Sequence, residues 1–181
     1  MKAADRPALA LGAAACLPDD VAALREMADI DGWLVLAAND GGAWWPGRLD
    51  HWCSLHADEM AEREAKRKAN GYPDGYRVWH GKHLPAGEAL DGATSAFLAV
   101  AVAYHLGHRR IVLCGCPMDR QGYAAPHMHH GDGVWPYYAT YQRTIPSQAK
   151  QHPWLMDCVR SMSGWTAKFF GRPTEEWLRL V

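Results

Sequence analysis

The residues best suited to chemistry in this chain are three clustered histidines, His127, His129 and His130, in the run HMHH with Asp132 close by. Imidazole is the side chain best matched to proton transfer near neutral pH. The cluster therefore offers a general acid, or a group that steadies a phosphate. Metal binding is another use of such a cluster, but as a zinc site its spacing is not diagnostic; a structural metal is the lesser reading, no metal is strictly implied and a cofactor stays undetermined. Asp40 and Asp119 each follow an apolar run and are the candidate bases. Gly92, Thr94 and Ser95 precede a long apolar segment. Helix N–H groups and hydroxyls there can hold a phosphate, or Thr94 or Ser95 can simply cap the helix. Gly12, Asn39 and Tyr123 complete the candidate ligand contacts, with Trp44 and Trp45 as stacking surfaces for a base or sugar ring. No P-loop, H-E-x-x-H, C-x-x-C or Ser–His–Asp order is present.

These residues need elements to bring them together. Residues 92–119, GATSAFLAVAVAYHLGHRRIVLCGCPMD, read as a loop, a helix apolar on nearly every face, a tight turn at Gly107 and a short buried strand. A continuous apolar run such as Ile111-Val112-Leu113 suits a central parallel strand with helices on both faces. Residues 8–13, 33–38, 50–56 and 76–80 read as further strands, the third the weakest. Residues 57–70 read as a charged, solvated surface helix, with Glu59, Glu62 and Glu64 each four residues before a base. Asn39 to Gly42 reads as a polar loop, and Trp44 and Trp45 also fall in loop. Cys114 and Cys116 alternate along a strand end. They are expected to share a face as buried, inert thiols. Residues 120–147 read as a long polar loop, 146–162 as a helix interrupted by Pro153, and 173–180 as a short helix.

The expected fold is α/β: a single Rossmann-like three-layer domain over residues 1–181, with a mostly parallel sheet of about five strands. Residues 120–181 form a loop-rich and helical C-terminal extension packed on it. Ligands of open α/β sheets sit at the carboxyl edge of the strands, where the loops holding Gly12, Asn39 and Asp119 would converge. The first loop has one glycine, not G-x-G-x-x-G, and Asp19-Asp20 would repel an anion at that helix start, so NAD binding is disfavoured.

Composition narrows the classes. The chain has 49% hydrophobic and 22% charged residues and a formal net charge of −1, so it is globular and carries no strong nucleic-acid signal. Its five cysteines lack a framework spacing. The opening apolar run breaks at Pro18-Asp19-Asp20 and reads as the first strand rather than a signal segment. No run is long enough to span a bilayer. The expectation is a cytoplasmic protein with free thiols and no membrane partner. A homo-oligomer stays open.

Residues 95–119 resemble a pattern in bacterial sialyltransferases of the lipo-oligosaccharide type and in motility-accessory, sialyltransferase-like proteins. There a hydroxyl-bearing turn precedes an alanine-rich helix and then L-G-x-x-x-I-x-L-x-G-x-D. Here the pattern is carried by Leu106, Gly107, Ile111, Leu113 and Gly115, with Asp119 displaced by two residues. Asn39 looks like the asparagine of those groups that contacts the nucleotide. The resemblance covers residues 8–123. The first loop departs from it, with Gly12-Ala13-Ala14-Ala15-Cys16 in place of a G-x-G-P-S turn. It implies a nucleotide or sugar-nucleotide pocket with Asn39, Thr94 and Ser95 around the ligand, and a loop histidine or tyrosine near the leaving phosphate.

Three readings follow. One is a glycosyltransferase-like or nucleotide-sugar-hydrolysing enzyme. The second is a non-catalytic nucleotide-binding module that sequesters or senses its ligand. The third is a structural protein with a degraded Rossmann-like fold.

Overall fold

The structure is a computed structural model that describes residues 6–88, 90, 94–120, 122–123 and 136–179. Its centre is a six-stranded parallel sheet in the order β4-β3-β2-β1-β5-β6. The strands are β1 (Ala8–Leu11), β2 (Leu34–Ala38), β3 (His51–Cys53), β4 (Arg77–Trp79), β5 (Ile111–Cys114) and β6 (Val159–Ser161). The helices are α1 (Leu17–Met27), α2 (Asp40–Trp44), α3 (Met60–Ala69), α4 (Ser95–His105), α5 (Tyr138–Gln151), α6 (Trp154–Cys158), α7 (Gly164–Phe170) and α8 (Glu175–Arg179). The Rossmann-like three-layer expectation holds, with one strand more than expected.

Each central strand is apolar throughout because both of its faces are covered. In β1, Leu9 and Leu11 pack into the layer of Val21 and Leu24 from α1, Met60 from α3 and Leu178 from α8. Ala8 and Ala10 turn to the other layer, with α4, Ile145 of α5, Leu155 of α6 and Phe170 of α7. Small residues on that face let α4 lie close, and α4 is buried at every position from Ser95 to Ala103. Gly107, at φ 97°, closes α4 as expected, and the His108 N–H returns to the Ala103 carbonyl at 3.0 Å.

Several sequence expectations change. The sixth strand, β6, lies within the segment expected to be helix. It pairs Val159 with Ile111. It is three residues long with Arg160 in its middle, too short and too mixed to show a strand pattern. Helix α5 begins at Tyr138, inside the expected loop, and carries Pro146 internally, where one ladder bond is lost. Asp40 to Trp44 is helix rather than loop.

The largest correction concerns α3. Its two arginines Arg63 and Arg67 lie one turn apart on a buried face, while Glu62 and Lys66 pair in solvent. Arg67 is 1% exposed. It donates to four backbone carbonyls, those of Gly42 (2.8 Å), Trp45 (2.7 Å), Gly47 (2.8 Å) and Pro73 (2.8 Å). Guanidinium is suited to this because its donors lie in a fixed planar fork. One side chain thereby holds the whole corner after β2.

Arg67→Met keeps the stem and removes the donors. Stranded buried acceptors cost about 1–3 kcal/mol each. The variant is expected to lose about 3 kcal/mol or more, lowering the melting temperature by about 6–12 °C for a domain of this size. Thermal unfolding followed by circular dichroism measures it. A change of only about 1 °C would contradict this role.

Candidate functional site

The strand order reverses between β1 and β5: β2 to β4 run away on one side of β1, and β5 and β6 on the other. A crevice at the carboxyl ends of the strands where the order reverses is where α/β sheets bind ligands. A pocket lies there. It encloses about 580 Å³ of empty space, open solvent at its mouth included. Its walls come from Gly12 to Ala14 after β1, Ala38-Asn39 at the end of β2, Thr94 to Ala96 at the start of α4, Gly115 to Asp119 after β5, and Gly122-Tyr123.

The floor depends on backbones that touch. A Cβ on Gly12 would stand 2.1 Å from the Gly115 carbonyl oxygen, and one on Gly41 2.6 Å from the Gly12 carbonyl oxygen. No side chain fits at either position. Gly115, at φ 67°, also bends the chain at the end of β5. The bend breaks strand alternation, so Cys114 packs into the α1 layer and Cys116 into the α4 layer. The expectation of a shared face is thus overturned. Burial pushes both thiols up, in keeping with inert cysteines.

The loop after β5 is held at four successive carbonyls. Gly115 accepts from the Ala14 N–H at 3.1 Å, and Cys116 from the Thr166 hydroxyl at 2.7 Å. Pro117 accepts from the Trp165 N–H at 2.8 Å, and Met118 from the Gln142 side chain at 2.8 Å. Underneath, the buried Asp20 carboxylate accepts from the Gly115 N–H and from the Ser163 hydroxyl, each at 2.8 Å. Asp20 therefore faces the sheet rather than an incoming anion. It ties α1 to the ends of β5 and β6. Beside it the Cys16 thiol is pushed up to about 11, chiefly by burial. It stays protonated at neutral pH and is no nucleophile.

Thr94 caps α4, its hydroxyl oxygen accepting from the Phe97 N–H at 3.3 Å. Ser95 uses its oxygen for the Leu55 N–H at 3.0 Å. Both line the pocket.

Gly12, Asn39, Thr94, Ser95, Asp119 and Tyr123 are thus brought to one pocket. Burial, then the Asp40 charge, pushes the Tyr123 phenol up, so it remains a hydrogen-bond donor at neutral pH. Asp40 is not part of the lining. It is buried and paired with Arg63 at 3.0 Å. Trp44 and Trp45 pack against the α1-side core and also lie away from the lining. Gly92, His127, His129 and His130 lie outside the described residues. Sequence reasoning missed Asp20, Ser54, Arg63, Gln142, Ser163 and Thr166. Polar side chains scattered over six elements and loops give no local signal.

Among the described residues, no three His, Cys, Asp or Glu side chains gather so as to hold a metal ion. None of the described helices is long and apolar enough to cross a membrane. No family model, curated protein or solved structure matches the chain.

Asp20 makes a pH test. Burial, the largest effect, raises its carboxyl above the ordinary 3.8, against the lowering by Gly115 and Ser163. A carboxyl raised on folding contributes stability fully below its unfolded value and loses it as pH climbs through the folded value. Asp20→Asn keeps an acceptor for both donors and has no charge to bury. Urea unfolding across pH is expected to show the variant gaining on wild type as pH rises above 3.8. A difference that stays level or shrinks would contradict the assignment.

Proposed function

We propose that this chain binds a nucleotide or sugar-nucleotide at the carboxyl edge of the sheet and acts on it as a glycosyltransferase-like or nucleotide-sugar-hydrolysing enzyme. The observation that carries the reading is the pocket where the strand order reverses, with touching backbones as its floor and the start of α4 at its wall. The resemblance over residues 95–119 points the same way.

In this reading the N–H groups of Ser95 and Ala96 at the start of α4 and the Thr94 hydroxyl take the phosphate. Asp119, the carboxylate among the described lining residues, is the base that activates an acceptor hydroxyl or water. Tyr123, kept protonated, donates to the ligand. A histidine of the 127–130 cluster is the acid toward the leaving phosphate. The non-catalytic binding module is the second reading. It is favoured by the lack, among the described lining residues, of a titratable side chain besides Asp119, Tyr123 and the buried thiol of Cys116.

The test uses UDP-, GDP-, ADP- and CMP-linked sugars, with melting temperature and mass spectrometry as readouts. A bound member at 100 times its dissociation constant adds about 2.7 kcal/mol, on the order of 5–10 °C here. Turnover is expected to vanish in Asp119→Asn while the thermal shift persists. Binding with unchanged ligand after long incubation establishes the non-catalytic reading. No shift with any member contradicts both.

A further inference from the structure

Asn39 joins β2 to α2 with a backbone that non-glycine residues rarely adopt, φ 45° and ψ −126°. Asparagine is among the few side chains that tolerate positive φ. Three residues on, the chain lies tight against β3: a Cβ on Gly42 would stand 2.1 Å from the Trp52 ring. Strain of this kind persists only where its surroundings hold it. Here β3 does the holding. The Asn39 N–H donates to the Cys53 carbonyl at 3.1 Å, and the Asn39 carbonyl accepts from the Trp52 indole N–H at 2.7 Å.

The side chain is held by Ser54, which is fully buried. The Ser54 oxygen accepts from the His56 N–H at 3.0 Å and from Arg63 Nη1 at 3.3 Å. A hydroxyl oxygen has two lone pairs, and these donors occupy both. Its one proton points to an acceptor, and Asn39 Oδ1 lies 2.9 Å away, closer than the His56 carbonyl at 3.1 Å. If the Asn39 amide were flipped, its NH2 would meet an oxygen that already receives two donors. The orientation is therefore set by the network rather than left to choice. Arg63 is itself fixed by the Asp40 carboxylate at 3.0 Å and by Glu59.

We propose that Ser54 is a positioning residue: backed by Arg63, it locks the Asn39 amide so that the two Nδ2 hydrogens are the group Asn39 offers to the pocket. The ligand atom met there is a hydrogen-bond acceptor that carries no hydrogen, such as a phosphate oxygen, a base carbonyl or an unprotonated ring nitrogen. This deepens the proposed function and its ligand half rests on that reading. It also assigns Asp40 a place. Asp40 acts through Arg63 and Ser54 on the amide, without touching the ligand.

The first measurement needs no ligand. Asparagine-selective 15N labelling, with Asn39→Asp to identify the signal, gives the order parameter of the Asn39 side-chain amide. In wild type it is expected near that of rigid backbone, about 0.85, and in Ser54→Ala below about 0.6. A mobile amide in wild type overturns the inference without recourse to any variant. So does an amide equally rigid in Ser54→Ala.

The second measurement is calorimetric titration with UMP, CMP, AMP and GMP and the corresponding diphosphates. Ser54→Ala is expected to weaken the bound member about 10-fold through loss of one oriented hydrogen bond. Asn39→Asp, which still accepts from Ser54 but cannot donate, is expected to weaken it about 100-fold while melting close to wild type. Wild-type affinity in both variants overturns the inference. Absence of binding by wild type sinks the proposed function and the ligand half with it, while the order parameter decides the amide geometry independently.

Discussion

The ends of β1 and β5 and the first turn of α2 meet in this protein with no side chain between them. Gly12 after β1 lies against Gly115 after β5, and Gly41 in α2 lies against the Gly12 carbonyl. That approach sets how far the strand ends can separate and where the following loops must turn. It also leaves a depression bounded by backbone, so a ligand can come close to main-chain groups. Over-packing at such a contact costs about 1–3 kcal/mol and moves the backbone. The pocket is thus a consequence of the sheet's own geometry.

A second layer of constraint is polar. Asp20, Arg63 and Arg67 are buried ionic groups, and each is spent on fixing loops rather than on solvent. Asp20 joins α1 to the Gly115 amide and Ser163. Arg63 joins α3 to Asp40 and Ser54, and Arg67 gathers the carbonyls after β2. In a low-dielectric interior such bonds are strong when made and costly when missing. A half-made network would be worse than an apolar one, so these groups specify one arrangement of the site. A ligand bound there would lose little to loop ordering, the usual benefit of a preorganised pocket.

How much of this was legible in the sequence depends on whether the cause is local. Strands β1, β2 and β5 and the helix α4 announce themselves, because continuous apolar runs between glycines have few other uses. The turn at Gly107 does the same through one residue. Convergence of Gly12, Asn39, Thr94, Ser95 and Asp119 followed from the strand pattern alone. The buried role of Arg63 and Arg67 was illegible. At helical spacing among glutamates they look solvated, and their partners lie far off in the chain: Gly42 and Trp45 carbonyls for Arg67, Asp40 and Ser54 side chains for Arg63. Strand β6 was hidden because its place beside β5, and not its own composition, makes it a strand. The separation of Cys114 from Cys116 turned on one backbone angle at Gly115. Asp20, read as a charge at a helix start, gained its meaning from Ser163, far along the chain.

The central claim is that one preorganised pocket at the β1–β5 junction is where this protein meets its ligand. The most direct measurement is an amide-resolved NMR titration of the 15N-labelled chain with nucleoside monophosphates and nucleotide-linked sugars. The account predicts saturable shifts concentrated at the amides of Gly12, Asn39, Ala96, Gly115 and Gly122. Shifts centred instead at the opposite, amino edge of the sheet, around Trp33, Arg48 and His108, or no saturable shift with any compound, would contradict it.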